Sequence, residues 1–115
     1  MFPKEQDIEI FKILSPMLNS IFIEMKEFSK KVPNDKLNEL KVKMINRILV
    51  EIKNLLNTEP SILFLDLLDD DTLPSNSDTV LILTQHKTAL ENFRTSYFYS
   101  DDAYADNRWH TEENP

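Results

Sequence analysis

The sequence predicts an all-α fold: an antiparallel bundle of about four helices with an irregular C-terminal tail. Three observations carry that expectation. No glycine occurs in 115 residues, so tight two-residue hairpins that need positive φ are disfavoured, whereas helix interiors rarely need glycine. Apolar residues recur at three- and four-residue spacing over long stretches, which is the period of an amphipathic helix. The intervals between those stretches are short and rich in proline, asparagine, aspartate and serine, as helix–helix connections are. Broad apolar faces joined by short connections bury themselves most readily as a bundle.

The first helix is expected over residues 4–31. Phe11, Leu14, Met17, Leu18, Ile21, Met25 and Phe28 fall on one face, and Glu9, Lys12, Asn19, Lys26 and Glu27 fall opposite. Pro16 removes one backbone hydrogen bond and clashes with the carbonyl of Lys12, so a kink or short break is expected there, with Ser15 available as a cap. The second helix is expected over 35–57, opened by Asn34 or Asp35, with Leu37, Leu40, Met44, Ile45, Ile48, Ile52, Leu55 and Leu56 as its stripe. Lys41 intrudes on that stripe and is expected to snorkel. Asn34 and Asn57 stand where helices must end without glycine. A third, short helix is expected over 60–69, with a buried strand as the rival reading of so short an apolar run. The last helix is expected over 78–99, capped by Ser77 or Asp78, with Ile82, Leu83, Leu90, Phe93 and Tyr97 as its stripe. Residues 1–99 then form one helical domain, and 100–115 a tail that is either disordered or docked through Tyr104 and Trp109.

The absence of glycine excludes the P-loop, the dinucleotide fingerprint and the nucleophile elbow. The absence of cysteine excludes disulfides and thiolate chemistry and makes a cytoplasmic location the expectation. Three acids in the first nine residues, with no apolar run after them, do not read as a signal peptide, and no apolar stretch is long enough for a membrane span. The net charge of −7 favours a basic protein partner over nucleic acid or a membrane. That charge is uneven. Residues 30–57 carry seven bases and three acids, whereas residues 58–78 carry six acids and no base.

Five features are candidates for function. The first is the acidic stretch FLDLLDDDTLPSNSD, residues 64–78. Read as a calcium loop from Asp69, it has Leu73 at the fifth position, Pro74 at the sixth and Val80 at the twelfth, so an EF-hand is rejected. The second is a pair of acid-x-x-acid turns, Glu24 with Glu27 and Asp66 with Asp69. Facing acid pairs in a bundle core can hold a divalent metal. Turns of this general kind are similar to those of the all-α nucleoside-triphosphate pyrophosphohydrolases. The likeness is confined to these four residues and assigns no family, and a metal-dependent nucleotide hydrolase is what it would imply. The third is His86, central on the last helix's apolar stripe, which reads first as a buried histidine satisfied by a hydrogen bond and second as a base facing Asp66 or Glu24. The fourth is the basic line Lys36, Lys43 and Arg47 beside Lys30 and Lys31, able to meet phosphate but lacking interleaved aromatics. The fifth is the acidic and aromatic C-terminal end: Tyr97, Tyr99, Asp101, Asp102, Tyr104, Asp106 and Trp109. Tyrosine and tryptophan anchor interfaces, and aspartates beside them steer a basic partner.

The resulting expectation is a small cytoplasmic interaction protein of the inhibitor, immunity-type or accessory kind, engaging a basic protein through that C-terminal surface. No cofactor is expected. The alternatives are the metal-dependent hydrolase and a nucleic-acid accessory protein working through the basic face of the second helix. Broad apolar faces on so short a chain also suit a homodimer.

Overall fold

The computed structural model describes residues 2–101 and 106–115, and the side chains of residues 99–101, 106 and 107 lie outside that description. The chain is all-α in its main body, with three α-helices and one 3-10 turn among the described residues. The helices are α1 (Glu5–Lys31), α2 (Glu39–Leu55) and α3 (Asn76–Tyr97), and the turn spans Pro60–Phe64. A two-stranded antiparallel hairpin follows, β1 (Phe98–Asp101) with β2 (Asp106–Trp109).

α1 runs unbroken through Pro16, so the expected break is absent. Phe11 and Leu14 before the proline and Leu18 and Met25 after it are buried in one core, which keeps the helix continuous despite the lost hydrogen bond. Its C-terminal half lies beside the start of α2, where the Lys41 ammonium sits 4.9 Å from the Phe28 ring centre, a cation–π contact. Its other partner is α3, which it meets in reverse: Phe11 stacks on Phe93 at 5.5 Å, while Val32 accepts a hydrogen bond from the Asn76 side chain at 2.9 Å. α2 and α3 therefore both start at the end where α1 finishes.

That shared start explains why α2 begins four residues later than expected. Pro33 and Asn34 form a turn closed by the Asp35 N–H on the Val32 carbonyl, and the backbone of 33–37 pairs with 74–77. The Leu37 N–H donates to the Pro74 carbonyl (2.9 Å), the Asn76 N–H to Asp35 (2.8 Å) and the Ser77 N–H to Pro33 (3.1 Å). Asn38, not Asn34 or Asp35, caps α2 by accepting from the Lys41 N–H at 2.8 Å. Ser75, not Ser77 or Asp78, caps α3 by accepting from the Asp78 N–H at 3.1 Å. The C-caps Val32 and Leu56 both keep negative φ.

The buried faces differ from the expected stripes on two helices. α2 buries Val42, Ile45, Leu49, Ile52 and Leu56, whereas Leu40 and Met44 are exposed. Those two sit at an edge of the stripe that no described element covers. On α1, Met17 is likewise exposed and Ile8 is buried instead.

The main correction concerns residues 60–69. Helical geometry there ends at Phe64, after one 3-10 turn of five residues. From Leu65 the chain is extended and runs as a strap between α2 and α3. Ile62, Leu65 and Leu68 point inward, the last two buried. A spacing of three is the period of a 3-10 or extended threefold chain, not of an α-helix or a flat strand. The strap occupies the place of the expected fourth helix, so the body is three helices closed by an extended segment.

The C-terminal tail is regular in part, since β1 and β2 reach into it, while residues 110–115 hold no helix or strand. In the hairpin Phe98 pairs with Trp109 and Asp101 with Asp106. Trp109, at the end of β2, lies against the bundle, 5.0 Å from Phe11, 5.9 Å from Phe93 and 5.2 Å from Phe98, measured between ring centres. Thr111 is buried beyond it, and the Glu112 N–H donates to the Pro3 carbonyl at 2.8 Å, tying the last residues to the first.

Candidate functional site

Two side-chain amides hold the strap. Asn46 on α2 accepts the Leu68 N–H and donates to the Leu68 carbonyl, both at 2.9 Å, so it stands in for the paired strand this segment lacks. Gln85 on α3 accepts the Asp66 N–H at 3.1 Å and donates to the Asp66 carboxylate at 3.0 Å. Downstream, the Asp69 carboxylate accepts the N–H groups of Asp71 (2.8 Å) and Thr72 (3.2 Å), turning the chain toward α3.

With Leu65 and Leu68 turned inward, the residues between and before them are forced outward. Leu63 is 82% exposed and Phe64 73% exposed, and Leu67 is exposed beside Asp66. Leu81, one turn into α3, is 65% exposed. Leu63, Phe64 and Leu67 stand in the segment, residues 58–78, that carries six acids and no base, and Leu81 follows just after it. Large apolar groups displayed together usually mark an interaction surface, whereas singly scattered ones do not.

The proposed acid quartet is not assembled. Glu24 and Glu27 are exposed on α1, and the Glu27 carboxylate takes the Lys30 ammonium at 3.3 Å. Asp66 is engaged by Gln85. In an extended strap, residues three apart are separated by about 10 Å, against about 5–6 Å on a helix, so Asp66 and Asp69 do not form a pair. Among the described residues the acidic group whose ligand atoms converge is Asp69, Asp70 and Asp71, all exposed, which includes one member of the quartet.

His86 is fully buried, with 0% exposure. Its Nδ1 lies 3.0 Å from the Ile82 carbonyl. A carbonyl only accepts, so Nδ1 carries the proton and Nε2 is left as a bare acceptor with no protein partner among the described residues. Burial pushes its pKa below the ordinary histidine value. The bond to Ile82 opposes that shift, Lys53 on α2 adds to it and Asp66 on the strap works against it. The direction sets a pH dependence. Below the ordinary value of 6.5 the unfolded chain takes up a proton that the folded core resists, so stability present above that pH is lost as pH falls. The loss approaches about 1.4 kcal/mol per pH unit while only the unfolded state titrates. Urea unfolding between about pH 7 and pH 5.5 checks this: His86→Leu should lose less stability over that interval than the parent chain.

Two of the C-terminal candidates turn out to be packing groups. Tyr97 is half-buried, stacks edge-on against Phe93 at 5.2 Å and donates its hydroxyl to Glu59 at 3.3 Å. Burial first, and then Glu59, raises its pKa. Trp109 is half-buried in the aromatic cluster. The side chains of Tyr99, Asp101 and Asp106, and the whole of Asp102 and Tyr104, lie outside the described residues. On the basic line, Lys43 and Arg47 share a surface depression with Glu51 and Asp70, so the acidic turn after the strap partly answers them. Lys36 is taken into the paired entry to α2, bridged to Ser75.

Asn46 and Gln85 are the residues that sequence reasoning missed. Their one signal was position: each is an uncharged amide beside the apolar stripe of its helix. Compared with protein-family models, with curated proteins and with solved structures, the chain matches none. Among the described residues no helix is long and apolar enough to cross a membrane.

Proposed function

We propose that this chain is a small interaction module, acting in the cytoplasm, that binds a basic protein partner. One observation carries the reading: Leu63, Phe64 and Leu67 are displayed within residues 58–78, which carry six acids and no base, and Leu81 is displayed just after them. Apolar groups supply contact energy, and the surrounding carboxylates supply steering and exclude acidic competitors. The net charge of −7 acts in the same sense at longer range. The acidic C-terminal end remains a second contact on the same terms, because Phe98 and Trp109 anchor the hairpin that carries Asp101 and Asp106 to the bundle.

Capture from an extract of the source cell, with the whole chain as bait, tests the reading. A basic protein should be retained at low salt and its apparent affinity should fall by about tenfold or more at a few hundred millimolar salt, since exposed charge pairs are screened there. Retention of no basic protein at any salt would contradict it.

A further inference from the structure

The apolar side chains around the strap are not a flat patch. A trough runs along α3 on the side of the 3-10 turn. Its first part, about 340 Å³, is lined by Phe64, Leu65, Leu81, Thr84, Thr88 and Ala89, among others, and includes no charged residue. Its second part, also about 340 Å³, shares Ser61, Ala89 and Asn92 with the first and continues to Thr95 and Ser96. From Leu81 to Ser96 the trough follows one helix face for about 22 Å. Small side chains along its floor let a neighbouring backbone come close.

The charges at its ends have one sign. Asp66 is held at the Leu81 end by Gln85, and Asp78 shares the α3 face of Leu81 and Gln85 at i, i+3 and i+7. Glu59 lines the far end. The two bases of α3 do not line the trough: the Lys87 ammonium lies 4.6 Å from the Phe22 ring centre on α1, and the Arg94 guanidinium lies 4.8 Å from the Phe98 ring centre and pairs with Glu91 at 3.6 Å. In a chain of which 29% is charged, an uncharged floor with acidic ends is a specific arrangement.

We propose that this trough receives one face of an amphipathic, basic helix from the partner protein. The inference rests on the basic-partner reading and adds the occupant and its place. A straight trough bounded by a helix suits a helix laid along it, whose residues at i, i+3, i+4 and i+7 enter between Phe64 and Leu81 and along the small residues of α3. Lysines or arginines flanking that face meet Asp66 and Asp78 at one end and Glu59 at the other. The same carboxylates disfavour the other candidates for an apolar trough. A second copy of this chain would bring like charge to each end, and an anionic membrane surface would be repelled.

The test uses the full chain and a dye-labelled leucine–lysine peptide of about 18 residues, helical and amphipathic, beside a scrambled isomer of the same composition. Fluorescence anisotropy at low ionic strength should show the amphipathic isomer binding about tenfold or more tighter than the scrambled one. Phe64→Ser with Leu81→Ser should remove most of that difference. Both residues are largely exposed, so the fold should survive, and circular dichroism checks that it does. Equal affinity for the two isomers, or full discrimination by the double variant, overturns the inference. So does sedimentation showing a dimer of the parent chain that the double variant dissolves, because the trough then holds a second copy. Salt-sensitive capture of a basic protein that persists in the double variant would leave the basic-partner reading standing while this inference falls.

Discussion

Asn46→Ala is expected to cost about 2–4 kcal/mol of folding stability, because it leaves the N–H and the carbonyl of Leu68 without their partner in a part-buried site. The backbone groups of an extended segment cannot satisfy each other, and Asn46 supplies both halves of the missing pairing. Its loss also frees Leu65 and Leu68 to leave the core. For a chain of this length the melting temperature should drop by about 10 °C. Asn46→Asp keeps an acceptor for the Leu68 N–H but presents only acceptors to the Leu68 carbonyl, so it should also destabilise. Calorimetry or urea unfolding reads both variants. A change within about 0.5 kcal/mol for Asn46→Ala would mean that the strap is held by something other than this amide.

Trp109→Ala is expected to cost about 2–4 kcal/mol, somewhat less than full burial would give, because the indole is half-buried. It removes one aromatic neighbour from each of Phe11, Phe93 and Phe98. Trp109 is the only tryptophan in the chain, so the emission of the parent protein reports the docking of the hairpin. That emission should shift to the red in the same unfolding transition that the backbone signal follows. An earlier, separate shift would mean that the hairpin docks as an independent unit. Of the two expectations for the tail, Trp109 follows the docked one, with its indole in the aromatic cluster.

The three long helices were legible because each keeps a 3.6-residue apolar period for at least four turns. Their starts were less so. Asn34, Asp35, Ser77 and Asp78 are all acceptable caps by residue type. The choice of Asn38 and Ser75 was made by backbone pairing between residues 33–37 and 74–77, some forty positions apart. The strap was misread for a related reason. ILFLDLL has apolar residues at every spacing, so a helix, a strand and a threefold chain all fit it locally. What decided among them was two amides, Asn46 and Gln85, on distant helices. Reading the strap as helix also brought Asp66 and Asp69 together as a pair, and the extended backbone separates them. The hairpin was hidden because its strands are four residues each and pair only with each other.

The proposed binding surface is the consequence of that strap. Its three-residue period turns Leu63, Phe64 and Leu67 outward among carboxylates. The most direct measurement is the capture experiment repeated with two charge variants side by side. The first carries Asp66→Asn, Asp71→Asn and Asp78→Asn, which keep the side-chain shapes around the strap and the start of α3. The second carries Asp101→Asn, Asp102→Asn and Asp106→Asn in the C-terminal segment. The strap variant should lose about tenfold or more in apparent affinity for the basic partner, while the C-terminal variant keeps most of it. Loss confined to the C-terminal variant would contradict the placement of the interface on the strap and α3.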